Sequence, residues 1–291
     1  MTYSKRTLLA VSIATVFNLA TLSGCSEAPS TTISNTSPNS AETTNATQTE
    51  SQRLATFFQA SFDQDVANSP IWQSYLGIKD DYDKWDDVSD AATQAEMDKL
   101  TARLAQSKTF DTSKLSSQEQ LSLQIFQQDI ARQLANDEFR HHVYIMHQFR
   151  AAHTFIPSFL INIHRINDIS DADAYIQRLH GVSVMFDQVI DQLRIREKLG
   201  VFPPKWAYDQ MIQASKNVIS GNPFTESDND STILADFTQK LDALELSKAE
   251  QSSYLSKANT ALNKSVKPAY EKLIAELMKQ RLLSPAGDGV W

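Results

Sequence analysis

Six histidines, a run of aspartates and a single cysteine are the side chains of this 291-residue sequence with the most chemistry to offer. His141, His142, His147, His153, His164 and His180 all fall in one stretch, a clustering that invites a metal or a haem. Two ligands on one helix must stand four residues apart, as in H-E-x-x-H. Here His142 and His147 are five apart, His147 and His153 are six apart, and no Glu lies between His141 and His180. The spacing therefore favours structural or surface histidines over a metal-binding bundle. Asp80, Asp81, Asp83, Asp86 and Asp87 raise calcium, but the glycine and closing Glu of an EF-hand loop are missing, so a solvated acidic loop is the better reading. No G-x-S-x-G, phosphate-cradling loop or G-x-G-x-x-G is present. Trp72, Trp85, Trp206 and Trp291 are scattered and read as core or cleft walls. The segment from Tyr144 to Pro157 is rich in aromatics, His and Arg. It reads equally as a cleft lining, with Tyr144, His147, Gln148, Arg150 and the later His164 as candidates, or as a buried connection. Spacing assigns no catalytic residue and no metal ligand.

Cys25 is the only cysteine, which excludes an intramolecular disulfide and a thiolate zinc site. Its setting is distinctive. Lys5 and Arg6 precede an apolar run from Leu8 to Ala20 that falls short of the roughly 20 residues a membrane span needs. That is the pattern of a signal peptide. Leu22-Ser23-Gly24-Cys25 follows and resembles the lipobox of bacterial lipoproteins. The resemblance implies that the Cys25 thiol takes a lipid, that the leader is cut before it, and that several acyl chains then hold the protein to a membrane. Ser26 resembles the outer-membrane sorting state. The expectation is an exported protein, anchored at Cys25 on the periplasmic face of the outer membrane.

Positioning any site falls to what comes after. Ser26 to Glu50 is dominated by Ser, Thr and Asn and has too little apolar area to offset chain entropy. The chain therefore divides into a signal peptide (1–24), a disordered tether (25–50) and a helical domain (51–291). Gly is scarce, at 7 residues, and charged residues make up 21%, a composition that suits helices better than a sandwich or barrel. Helical spacing recurs in Leu54, Phe57, Phe58 and Phe62, again from Leu121 to Leu134, and again from Tyr175 to Leu193. Ser116 with Glu119, and Ser247 with Glu250, match the capping box. Asp171 is placed to cap the long helix that Gly200 would end. The helix opened by Ser247 is expected to reach Leu283 with a kink at Pro268, and Trp72 to Asp90 is expected to be irregular. No strand run is found. The fold class is all-α, with long helices in an irregular array and no significant sheet. The net charge of -8, with two cations inside the leader, excludes nucleic acid as a partner and leaves the lipid as the route to the membrane. No pattern sets an oligomeric state.

Several segments in order carry a family resemblance. They are Ser69-Pro70 with Trp72 and Tyr75-Leu76-Gly77-Ile78, Ile156-Pro157-Ser158-Phe159-Leu160 leading to His164, Asp171 through Leu179, Gly200-Val201-Phe202-Pro203-Pro204, and Gly289-Val290-Trp291. This set resembles a bacterial family known only as domain of unknown function number eight-eight-five. The resemblance implies an exported or lipid-anchored protein that looks like a zinc metallopeptidase with a peptide substrate. It places the H-E-x-x-H helix and third ligand in a second half, after the Gly-Val-Trp at which this chain stops. Zinc is therefore expected for a complete member and no cofactor for this chain, which reads as the helical half of such an enzyme, inactive alone. The alternative is a stand-alone periplasmic helical lipoprotein that binds a partner or ligand.

Overall fold

The computed structural model describes residues 48–285. Cys25, the leader, nearly all of the tether and Gly289-Val290-Trp291 lie outside the described residues. Among the described residues the fold is all-α. Ten α-helices run in the order α1 (Glu50–Ala67), α2 (Pro70–Leu76), α3 (Asp90–Ser107), α4 (Ser117–Asn136), α5 (Ala152–Asn162), α6 (Ile169–Lys198), α7 (Lys205–Val218), α8 (Thr232–Asp242), α9 (Lys248–Ala261) and α10 (Lys267–Leu283). No strand forms among these residues; an isolated bridge joins Asn222 and Asp230.

Helix starts follow from local chemistry. Thr49 caps α1 and Gln52 reaches back to it. The Ser116–Glu119 and Ser247–Glu250 boxes close at the starts of α4 and α9. Each pairs two amide donors that a helix N-terminus would otherwise leave free. At the far end of α6, Gly200 takes φ 73°, the left-handed conformation that a side chain disfavours.

Four local expectations are corrected. Residues 70–76 form helix α2, where irregular chain was expected. Ser69 caps it, Pro70 supplies a preset φ at its first turn, and Gly77 ends it at φ 78°. Asp86 of the acidic stretch accepts from the Ser69 hydroxyl and the Ile71 amide, so this carboxylate belongs to the helix start rather than to solvent. Second, Asp168 caps α6, and Asp171 is a buried residue of its first turn. Third, where a kink at Pro268 was expected, a π-helical stretch, Leu262–Val266, joins α9 to α10. A wider turn accommodates a proline that has no N–H to donate, and it leaves Leu262 and Val266 fully buried. Fourth, Phe62 is half-exposed, while Leu54 and Phe57 on the same helix are buried.

The main core is built around α6, which at 30 residues is about 45 Å long. Tyr175, Leu179, Val182, Phe186 and Ile190 along it are buried; α5, α9, the π-helical stretch and α10 pack against it, and α7 packs in turn on α10 and α5. A smaller cluster of Leu54, Phe57, Phe110, Leu115 and Leu123 joins α1, α4 and the turn before α4.

Candidate functional site

The segment that sequence reading singled out, Tyr144 to Pro157, is split: its first part belongs to an irregular turn over residues 140–150, and from Ala152 it is the start of α5. Arg196 of α6, itself buried, holds the turn in place by donating to the Val143 carbonyl at 2.9 Å and the Arg140 carbonyl at 2.7 Å. Met146 is fully buried beneath the turn. Tyr144 and Arg150 are exposed, and His147 and Gln148 are half-buried. His147 Nδ1 accepts from the Phe149 and Arg150 amides, both at 3.3 Å, and so shapes the turn that presents Arg150. The Arg150 guanidinium lies 5.6 Å from the Phe155 ring centre.

Beside this turn is a cavity of about 420 Å³. Val88, Ile145, Phe155, Met185 and Val189 supply its apolar walls; Arg150, Arg196, Thr93 and Gln192 supply its polar ones. Among the described residues no carboxylate lines it. Ala151 and Ala152, at the start of α5, complete the lining, and the cap residue Ala151 has no side-chain acceptor for the first amides of that helix.

His164 sits elsewhere, fully buried under α6. Arg178, also fully buried, donates to its Nδ1 at 2.9 Å. The proton of the neutral ring must then be on Nε2, which donates to the Asp171 carbonyl at 3.0 Å. Burial above all, with the Arg178 charge second, pushes His164 down to about 3, so the ring is neutral at physiological pH. Arg178 also donates to the Lys84 carbonyl at 3.0 Å and the Ser74 hydroxyl at 2.7 Å. Tyr82, Trp85 and Phe159 offer their rings to its guanidinium at 5.0, 5.5 and 4.8 Å. Burial lowers Arg178 to about 10, which leaves it charged at neutral pH. The charge is held by carbonyls, a hydroxyl, an imidazole and aromatic faces rather than by a carboxylate.

Two further ties surround this hub. Lys79 pairs with the buried Asp171 at 2.6 Å across 92 residues of sequence. Lys240 of α8 donates to the carbonyls of Leu160, Ile161 and His164, the free acceptors at the end of α5, and pairs with Asp236. Lys79, Tyr82, Trp85 and Lys240 carry no local sequence signal. Their roles depend on partners tens of residues away.

The remaining histidines are dispersed. His141 Nε2 lies 3.2 Å from Asp90, and His180 Nδ1 lies 2.9 Å from the Ser265 hydroxyl. His153 is fully buried with neither ring nitrogen partnered, and the buried Tyr208 hydroxyl also lacks a partner among the described residues. Burial first, then the nearby charge of His147, lowers His153 to about 4. Among the described residues no three His, Cys, Asp or Glu side chains converge to hold a metal ion.

A second, larger groove of about 850 Å³ runs between α1, α3 and α4. Phe58, Phe62, Leu100, Ile125 and Phe126 line it, with Asp65, Glu96 and Asp129 also present.

A family model described as "Bacterial protein of unknown function (DUF885)" matches residues 70–289. The chain belongs to this family. Three of the segments that carry the resemblance meet at the hub. The Pro70 carbonyl lies 3.4 Å from Arg178, Phe159 faces its guanidinium, and His164 and Asp171 complete the arrangement. In this chain those family segments hold α2, α5 and α6 together. The fold is similar to a solved structure from Colwellia psychrerythraea, described as a "putative lipoprotein", with a TM-score of 0.73 and 15% identity. That likeness covers 84% of this chain and 44% of the other, so this chain spans less than half the length of the protein it matches. No curated protein matches it closely enough to count as a relative.

Proposed function

We propose that this chain is the helical portion of a lipid-anchored, peptidase-like protein, exported and held to the periplasmic face of the outer membrane through Cys25. In this reading it supplies a wall of a peptide cleft, and the zinc and the catalytic groups of a longer family member come from residues outside this chain. The supporting observation is one of extent: the fold likeness takes up 84% of this chain but 44% of its neighbour. Membrane attachment through a lipid is compatible with the helices, since among the described residues none is long and apolar enough to cross a membrane. The domain plan follows the same reading, with leader 1–24, tether 25–50 and helical domain 51–291.

The test is the intact mass of the native protein extracted from the membranes of the producing cell. The reading expects a mass well above 32.6 kDa, acyl chains included. A mass matching residues 25–291 plus acyl chains would overturn it. The second reading, a stand-alone lipoprotein that binds a ligand, would then stand. The observation favouring that reading is the cavity beside Arg150.

A further inference from the structure

We infer that the cavity beside the 140–150 turn binds a monocarboxylate with an apolar body, its carboxylate on Arg150 and its tail between α5 and α6. The inference concerns this chain alone and holds for either reading of its function.

Three observations converge. The first is charge. Among the described residues two arginines line the cavity and no carboxylate does. The nearby Asp90 is engaged by Arg140 and His141. Arg196 commits four of its five donors to the carbonyls of Val143, Arg140 and Gln192 and to the Gln192 side chain, so it contributes mainly field. Arg150 differs: its guanidinium has neither an ion-pair nor a hydrogen-bond partner among the described residues, and it is held in reach of the cavity by the His147 turn. A planar guanidinium offers a carboxylate two parallel donors.

The second observation is the start of α5. The cap residue Ala151 has no side-chain oxygen, and its carbonyl accepts from the Thr154 and Phe155 amides, so the Ala152 and His153 amides are left without a side-chain cap. Ala151 and Ala152 both line the cavity, so the positive end of the helix adds to the arginine charges. The third is the remainder of the lining. Val88, Ile145, Phe155, Met185 and Val189 can exclude water from an aliphatic or aromatic body, and about 420 Å³ is within the range of small-ligand sites. The larger groove between α1, α3 and α4 has the opposite character, with three acids and one arginine in its lining, and would favour a cation.

Two sources share this chemistry, a medium-chain fatty acid and a peptide ending in a hydrophobic residue. Calorimetric titration of the full chain with octanoate, octanol and octylamine, and with N-acetyl-leucyl-phenylalanine and its C-terminal amide, separates them. At least one carboxylate should bind on the order of tenfold or more tightly than its uncharged counterpart. Whichever does so identifies the source. Arg150→Gln should erase that preference while leaving octanol binding unchanged, and Arg150→Lys should restore part of it. Arg150 is exposed, so neither variant threatens the fold, and a thermal melt verifies that. Equal binding of acid and uncharged partner in both pairs, an unchanged preference in Arg150→Gln, or no binding of either acid would each overturn the proposal.

Discussion

Replacing Arg178 with methionine tests whether the hub is what joins the acidic stretch and α2 to the rest of the fold. The side chain is fully buried and donates at 3.0, 2.9 and 2.7 Å to the Lys84 carbonyl, His164 Nδ1 and the Ser74 hydroxyl. Hydrogen bonds from a charged donor contribute about 1.5–3 kcal/mol each, which makes the gross loss about 5–9 kcal/mol. Against this, the variant no longer buries a guanidinium, a cost of several kcal/mol in the folded state. Methionine also recovers part of the packing against Tyr82, Trp85 and Phe159. The net expectation is a loss of about 3–5 kcal/mol, because three acceptors are left in a dry site without their donor. Urea unfolding followed by circular dichroism measures it, with tryptophan emission reporting on Trp85, whose Nε1 donates to the Arg178 carbonyl at 2.8 Å. Arg178→Lys should recover only part of the loss, since one ammonium cannot reach three acceptors arranged for a fork. A loss under about 1 kcal/mol for Arg178→Met would refute the reasoning, for it would mean that desolvation cancels the bonds and the hub holds nothing together.

Lys240→Met should cost about 2–4 kcal/mol in the same unfolding assay, because it strips the donor from three carbonyls at the end of α5 and leaves the half-buried Asp236 without its cation. Gly181→Ala would place a Cβ 2.9 Å from Trp85 Cδ1, so despite a better helix residue the variant should lose about 1–2 kcal/mol and shift Trp emission to the red. Tyr208→Phe removes a buried hydroxyl that has no partner among the described residues, and stability should stay level or rise by about 1 kcal/mol; a loss above that would show a partner in solution. Stability should also fall in mild acid. With His164 held down to about 3 and His153 to about 4, the unfolded chain takes up protons below its ordinary histidine pKa that the folded chain refuses. This contribution is complete above about pH 6.5 and is lost as pH falls toward those values, at up to about 1.4 kcal/mol per pH unit for each ring. Urea unfolding at pH 7 and pH 5 reads the slope, and His153→Leu should reduce it by one proton's worth; an unchanged slope would contradict the burial of that ring.

Much of the scaffold was legible because its signals are local. The capping boxes at Ser116 and Ser247 need only residues three apart, and the apolar spacing from Tyr175 to Leu193 needs only a helical period. The errors arose where distant residues settled the outcome. Asp171 looks like a cap, yet Asp168 has that role, and the Asp171 side chain pairs instead with Lys79, 92 residues away. The acidic run looks solvated, yet Asp86 braces a helix 15 residues earlier. The histidines look like one group because they share a stretch of chain, while in space each has its own surroundings.

The candidate site divides along the same line. That the segment from Tyr144 to Pro157 is unusual can be read from its residue types alone. Only folding puts His164 beneath Arg178 and Arg150 at the mouth of an apolar cavity. Local rules set the helical class and most helix ends, because capping and periodicity act over a few residues. The buried cations on backbone carbonyls and the cavity with no acid in its lining were decided by tertiary packing, because each of them joins segments that chain entropy keeps apart until the core around α6 has formed.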